Sequence, residues 1–174
     1  MVTAGAKERA LEGAMYPLAA IKVTTANSFI DFAVPQDYTH LYLTGFVLGS
    51  VDADDLVIRF NGDTGSNYAW HNVNTNGSSM AAQIGSSTAG MYLAANTGSA
   101  TYPSLIEYTI HDYSSTTKNK SMQGFGGHER NSNSGGLYYF TGHWRSLLPV
   151  TSLRVYFATG NINVNSEFEL FGVK

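Results

Sequence analysis

Cysteine is absent from the sequence. That excludes a disulfide-stapled scaffold, a thiolate zinc site, an iron–sulfur cluster and a cysteine nucleophile. Charge is scarce too: Asp, Glu, Lys and Arg make up 13% of the residues, about half the ~25% of an average globular chain. The formal net charge is −3, and Lys118, Lys120, Arg130 and Arg145 form no dense run. Nucleic acid is therefore not an expected partner, because such binders carry a basic field. No apolar run approaches the ~18 residues of a membrane-crossing helix, so no membrane partner is expected either. Residues 1–14 carry Lys7, Glu8, Arg9 and Glu12 and do not read as a secretory leader.

What the chain does have is 174 residues, enough for one domain with a real core, and 43% of them are apolar. That apolar share, with so little charge, argues against disorder. Tyrosine (11), phenylalanine (9) and glycine (18) are abundant. This mixture suits a β-protein with long turns. It also suits a surface that packs on other protein, since interface centres are poor in charge and rich in tyrosine. A β-sandwich from an extracellular setting fits the same composition.

Helix formers concentrate only in residues 6–14 (AKERALEGA), a segment too short to be a stable helix alone. We read residues 1–25 as an N-terminal arm, helical in part. Its apolar side chains Leu11, Met15, Tyr16 and Leu18 are candidate anchors on a partner subunit. Residues 26–174 read as strands and turns. Alternating or β-prone runs lie at 28–34, 40–48, 56–60, 67–73, 104–112, 118–125, 137–144, 153–159 and 167–173. Segment 40–48 (HLYLTGFVL) is apolar on both parities, which predicts a strand buried between two layers. Residues 75–100 are expected to be mostly loop around a short strand at Met91, Tyr92 and Leu93, and 126–136 to be a polar loop. The expected fold is all-β, an antiparallel β-sandwich of jelly-roll type with no helix inside it, its last strand in the middle of a sheet.

Few residues suggest chemistry. In RFNGDTGSNY (residues 59–68), Asn61-Gly62 is a strong hairpin-turn dipeptide, Asp63 and Asn67 can bond nearby backbone groups, and Tyr68 closes the segment. Asp63 with Asp52, Asp54 and Asp55 offers oxygens for calcium, but the spacing matches no calcium loop, and an ordered structural turn is favoured. Arg59 lies in an apolar strand and needs a partner, for which Glu107 is a candidate. His40, His71, His111, His128 and His143 show no zinc-ligand spacing, and no nucleophile elbow or carboxylate pair is present. No cofactor and no enzymatic activity are expected. Trp70-His71 and His143-Trp144, with Tyr138 and Tyr139, are either a platform for sugar rings or core, and core is favoured.

RFNGDTGSNY is preceded by DYTHLYLTG (37–45). It is followed by IEYTIHDYSSTTKNKS (106–121), Trp144 and Ser146, PVTSLRV (149–155) and S-x-F-x-L-F-G-V (166–173). In this order the segments resemble a group of tailed-bacteriophage virion proteins found in decoration, capsid-fibre and tail-associated positions. The resemblance spans roughly 27–173. It implies a non-enzymatic jelly-roll module on the virion surface, most specifically a capsid decoration or cement protein. The partner it implies is the major capsid or tail protein, bound by a homo-oligomer. The alternative is a receptor- or carbohydrate-binding module of a phage fibre or tail, with a glycan as partner.

Overall fold

The structure is a computed structural model, and it describes residues 15–95, 97–130 and 135–174. Twelve strands follow one another: β1 (Met15–Lys22), β2 (Ile30–Ala33), β3 (His40–Val47), β4 (Leu56–Phe60), β5 (Tyr68–Thr75), β6 (Met80–Thr88), β7 (Met91–Ala94), β8 (Ser104–His111), β9 (Lys120–His128), β10 (Gly136–Trp144), β11 (Ser152–Phe157) and β12 (Glu167–Val173). Among the described residues there is no helix, and so none long and apolar enough to cross a membrane.

The strands form two antiparallel sheets. The larger has the order β1-β12-β3-β8-β9-β10-β5-β6 and the smaller β2-β11-β4-β7. Setting aside the insertions β5–β6 and β9–β10 leaves β1-β12-β3-β8 facing β2-β11-β4-β7. The expected all-β antiparallel sandwich is therefore what forms, and β12 is an internal strand, as its two well-defined faces predict.

Alternation in sequence becomes alternation in burial. In β8 the inward side chains are Ser104, Ile106, Tyr108 and Ile110, while Leu105 and Glu107 face solvent. One inward row crosses the large sheet from Leu170 through Leu43, Tyr108, Gly124 and Phe140 to Asn72. It packs with Phe32, Leu56, Ile58, Phe60, Leu93, Leu153 and Val155 of the small sheet into one core. Gly124 and Gly126 leave the inward face of β9 bare between Met122 and His128. The small sheet comes close there: a Cβ on Gly126 would lie 2.2 Å from the Leu93 carbonyl oxygen. That carbonyl accepts the hydroxyl of buried Tyr108, a hydrogen bond between the two sheets.

Four expectations change. The boundary drawn at residue 25 falls inside the domain, because Met15–Lys22 is a full strand paired along β12. Residues 6–14, with Leu11, lie outside the described residues. Residues 75–100 are not mostly loop: β6 spans nine of them and pairs along β5. Likewise β9 runs on to His128, so 126–128 is strand. Finally, β3 is covered on one side only. Leu41, Leu43 and Val47 are buried, but Phe46 is exposed, because the sandwich has only two layers and β3 belongs to one of them.

Candidate functional site

The RFNGDTGSNY segment is a corner that ties the two sheets together at one end. Asn61 and Gly62 adopt φ of 51° and 66°, and the Asp63 N–H donates to the Phe60 carbonyl at 2.9 Å. The turn therefore forms as the dipeptide predicts, yet it is no hairpin, since it passes from β4 of the small sheet to β5 of the large one. The Asn61 side chain accepts the N–H groups of Thr151 and Ser152 and donates to the Pro149 carbonyl. Tyr68 is fully buried; its hydroxyl accepts the Phe60 N–H at 3.0 Å and donates back across the turn. Burial pushes that phenol far above its ordinary value.

Asp63 is the hub of the corner. Its carboxylate accepts the Trp144 indole N–H at 2.6 Å, the Asn67 amide at 2.9 Å and the Gly65 N–H at 2.8 Å. Partial burial acts to raise its pKa, but these donors, with Arg59 nearby, outweigh burial and hold the carboxyl below its ordinary 3.8. Asp54 serves a different loop, accepting the N–H groups of Asp55, Thr159 and Gly160. The Asp52–Asp55 acids and Asp63 thus do not converge, and among the described residues no group of three or more His, Asp or Glu side chains is placed to hold a metal.

Arg59 does not meet Glu107. It points to the outer face of the small sheet, where Nε donates to the Ala89 carbonyl and Nη2 to the Tyr156 hydroxyl at 2.7 Å. Glu107 lies on the outer face of the other sheet, beside the Tyr42 hydroxyl, whose pKa is raised first by burial and then by that carboxylate. The same small-sheet face holds Arg154, paired through two hydrogen bonds with Asp31 at 2.7 and 2.6 Å and lying over the Phe29 ring. Because both partners are partly exposed, Arg154→Ala should cost about 1 kcal/mol or less in chemical denaturation.

Both tryptophans are core. Trp70 stacks on Tyr92 with ring centroids 4.6 Å apart, and Trp144 packs on Phe60 and Tyr68. The sugar platform built on them is therefore not available. Of the expected anchors, Leu18 packs on the core and Tyr16 is half-buried against Tyr38, so both serve the fold; Met15 is exposed. Lys120 turns inward, where its ammonium donates to the Lys118 carbonyl at 2.7 Å and burial lowers its pKa.

The most unusual surface is the outer face of the large sheet. Across the six adjacent strands β3, β8, β9, β10, β5 and β6, the only charged residues are Glu107 and the inward-turned Lys120. One outward row runs Phe46, Leu105, Gly127, Leu137. Leu105 is 60% exposed and Leu137 54%. Gly127, between them, has no side chain, which leaves a groove of about 490 Å³ lined also by Phe125 and by the carboxylate-bearing Glu107 and Glu129. In the next row Phe125 pairs across to Tyr139, their rings 5.0 Å apart.

No family model, curated protein or solved structure matches the chain. The site therefore rests on its own chemistry. Over these six strands the face combines apolar and aromatic side chains with one outward charge, Glu107. It is bordered by Glu129 and, on β12, by Glu167 and Glu169. The centres of protein interfaces are likewise poor in charge and rich in aromatic residues. Composition points to a Tyr-rich surface poor in charge that packs on other protein but does not place it. The side chains that do, Tyr42, Phe46, Leu105, Leu137 and Tyr139, lie on the outward parity of 40–48, 104–112 and 137–144.

Proposed function

We propose that this chain is a non-enzymatic structural protein of a phage virion, most specifically a capsid decoration or cement protein. In this reading it docks through the outer face of its large sheet onto the major capsid or tail protein. The observation that carries the docking is the row Phe46–Leu105–Leu137 across β3, β8, β9 and β10, within a six-strand face whose strands carry a single outward-facing charge. Burying such side chains contributes about 1.5–3 kcal/mol each, and central anchors of this kind dominate interfaces. The resemblance of residues 27–173 to virion proteins supplies the partner. The strand order supports a jelly-roll reading: β1-β12-β3-β8 over β2-β11-β4-β7 is the eight-strand arrangement of two interlocked Greek keys, with β5–β6 and β9–β10 as hairpin insertions that widen one sheet.

The test is binding to purified particles lacking the protein. Leu105→Glu with Phe125→Glu should weaken binding about 100-fold, roughly 3 kcal/mol. The thermal midpoint should stay within a few degrees, because both side chains are exposed. Unchanged occupancy of the double variant on particles overturns the docking face. Deleting residues 1–14 asks separately whether the arm contributes; a cut beyond 14 removes part of β1 and tests folding instead.

The receptor- or carbohydrate-binding alternative now rests on the exposed Phe125–Tyr139 pair. A glycan array with Tyr139→Ala as control separates the two: a Tyr139-dependent glycan signal favours that reading, and silence removes it.

A further inference from the structure

The two sheets have four edge strands, β1 and β6 in the large sheet and β2 and β7 in the small one. An edge strand presents free backbone N–H and C=O groups and invites another strand, and folds blunt such edges with proline, bulges, charge or shortness. Three of the four are blunted here. β1 carries Pro17 and a bulge between Pro17 and Ala19, and ends in Lys22. β2 and β7 have four residues each, and β2 includes Asp31.

β6 is different. It is nine residues long, MAAQIGSST, with neither charge nor proline. Its pairing with β5 is regular from Met80 to Ser86. Its one bulge is at Ser87 (φ 55°), opposite Tyr68 and Ala69 of β5 and beyond the apolar stretch, so Met80–Ser86 is left as an unblunted edge. Only Gly85 is buried, where it meets the Trp70 indole. Met80 at 76% and Ile84 at 66% are the two most exposed large hydrophobic side chains among the described residues.

We propose that β6 pairs antiparallel with β6 of a second copy, joining two large sheets edge to edge. The occupant follows from the strand itself. Met80 and Ile84 lie on one face, two residues either side of Ala82. A two-fold axis at Ala82 sets Ala82 opposite Ala82 of the second copy. It sets Met80 of each chain opposite Ile84 of the other, so the most exposed apolar pair is covered by itself. Self-pairing sets any charge on such a strand near its own copy, which is unfavourable; β6 carries none. The contact is isologous and closes as a dimer. The outward face of β6 continues through Val73 to Leu137 and Tyr139, so the dimer doubles the apolar face in one surface. The inference does not depend on the virion reading, since it needs only a second copy.

The test is sedimentation velocity of the full chain from micromolar to submillimolar concentration, with circular dichroism to confirm folding. The wild type should move as a dimer, and Ile84→Lys and Met80→Lys as folded monomers. Because the chain has no cysteine, Ala82→Cys with a short bis-thiol cross-linker reports the register. It should give covalent dimers, and Ser121→Cys, exposed in mid-sheet, should not. A wild type monomeric throughout, a trimer, a dimer indifferent to Ile84→Lys, or equal cross-linking at 82 and 121 overturns the proposal.

Discussion

Valine in place of Gly126 should unfold the protein or lower its thermal midpoint by more than about 10 °C. The reason is where the small sheet approaches β9. A Cβ at Gly126 meets the Leu93 carbonyl at 2.2 Å and the Ala94 Cβ at 2.8 Å. These are backbone and near-backbone atoms, so no rotamer change relieves the clash, and β7 has to move away. The displaced carbonyl is the acceptor of the Tyr108 hydroxyl, which is then left unsatisfied in the core. Overpacking costs about 3 kcal/mol and an orphaned buried hydroxyl about 1–3 more. Position 125, one residue earlier, points the other way. Phe125→Ala gives up only the exposed contact with Tyr139 and should stay within about 1 kcal/mol. If expression of the valine variant fails, Gly126→Ala read by differential scanning calorimetry gives the same ranking in milder form. A midpoint for Gly126→Ala equal to that of Phe125→Ala would show that the sheets are not in close contact there.

Asp63→Ala should cost about 3 kcal/mol, or roughly 6–12 °C in a chain of this size. Its carboxylate is the acceptor for the indole N–H of Trp144, a side chain almost wholly buried. Alanine leaves that N–H with no acceptor and releases the Gly65 and Asn67 ends of the corner at the same time. The acid response follows from the same contacts. The carboxyl is held below 3.8 when folded and returns to its ordinary value of about 3.9 when unfolded. As pH falls, the unfolded chain takes up the proton first. The stabilisation is therefore complete above the ordinary carboxylate value and is lost as pH drops through the lowered one. Asp63→Asn should flatten this part of the stability-against-pH curve, measured by urea titration at successive pH values. A curve that Asp63→Asn leaves unchanged would mean that the corner does not titrate through this residue.

Much of the fold was legible because burial follows a period of two. LVIRF and EFELFGV have the same bounds in sequence and structure, as β4 and β12. What escaped has particular reasons. In β6, MAAQIGSST holds only Ile84 and Thr88 among strong strand formers; it is a strand because β5 supplies its ladder, a tertiary effect invisible to local propensity. In β1, Met15–Lys22 falls in the stretch read as arm, and Pro17 is tolerated in the strand because β1 lies on an edge. The partner of Arg59 required knowing that β4 and β8 lie in different sheets. Asn61-Gly62 announced its turn but not that the chain would change sheets there. The outer face of the large sheet was not placed for a related reason. An apolar second parity in β3 reads as a strand between two layers, and only the strand order shows that this side, with Phe46, is left exposed.

Met15 sits opposite Val173 in the β1–β12 ladder, at the far side of the large sheet from β6. A peptide, fluorophore or enzyme joined before residue 15 or after residue 173 would thus leave from one common corner. Both the strand edge and the groove around Gly127 would stay clear of it. Either junction offers the same geometry, and the choice falls to linker length alone.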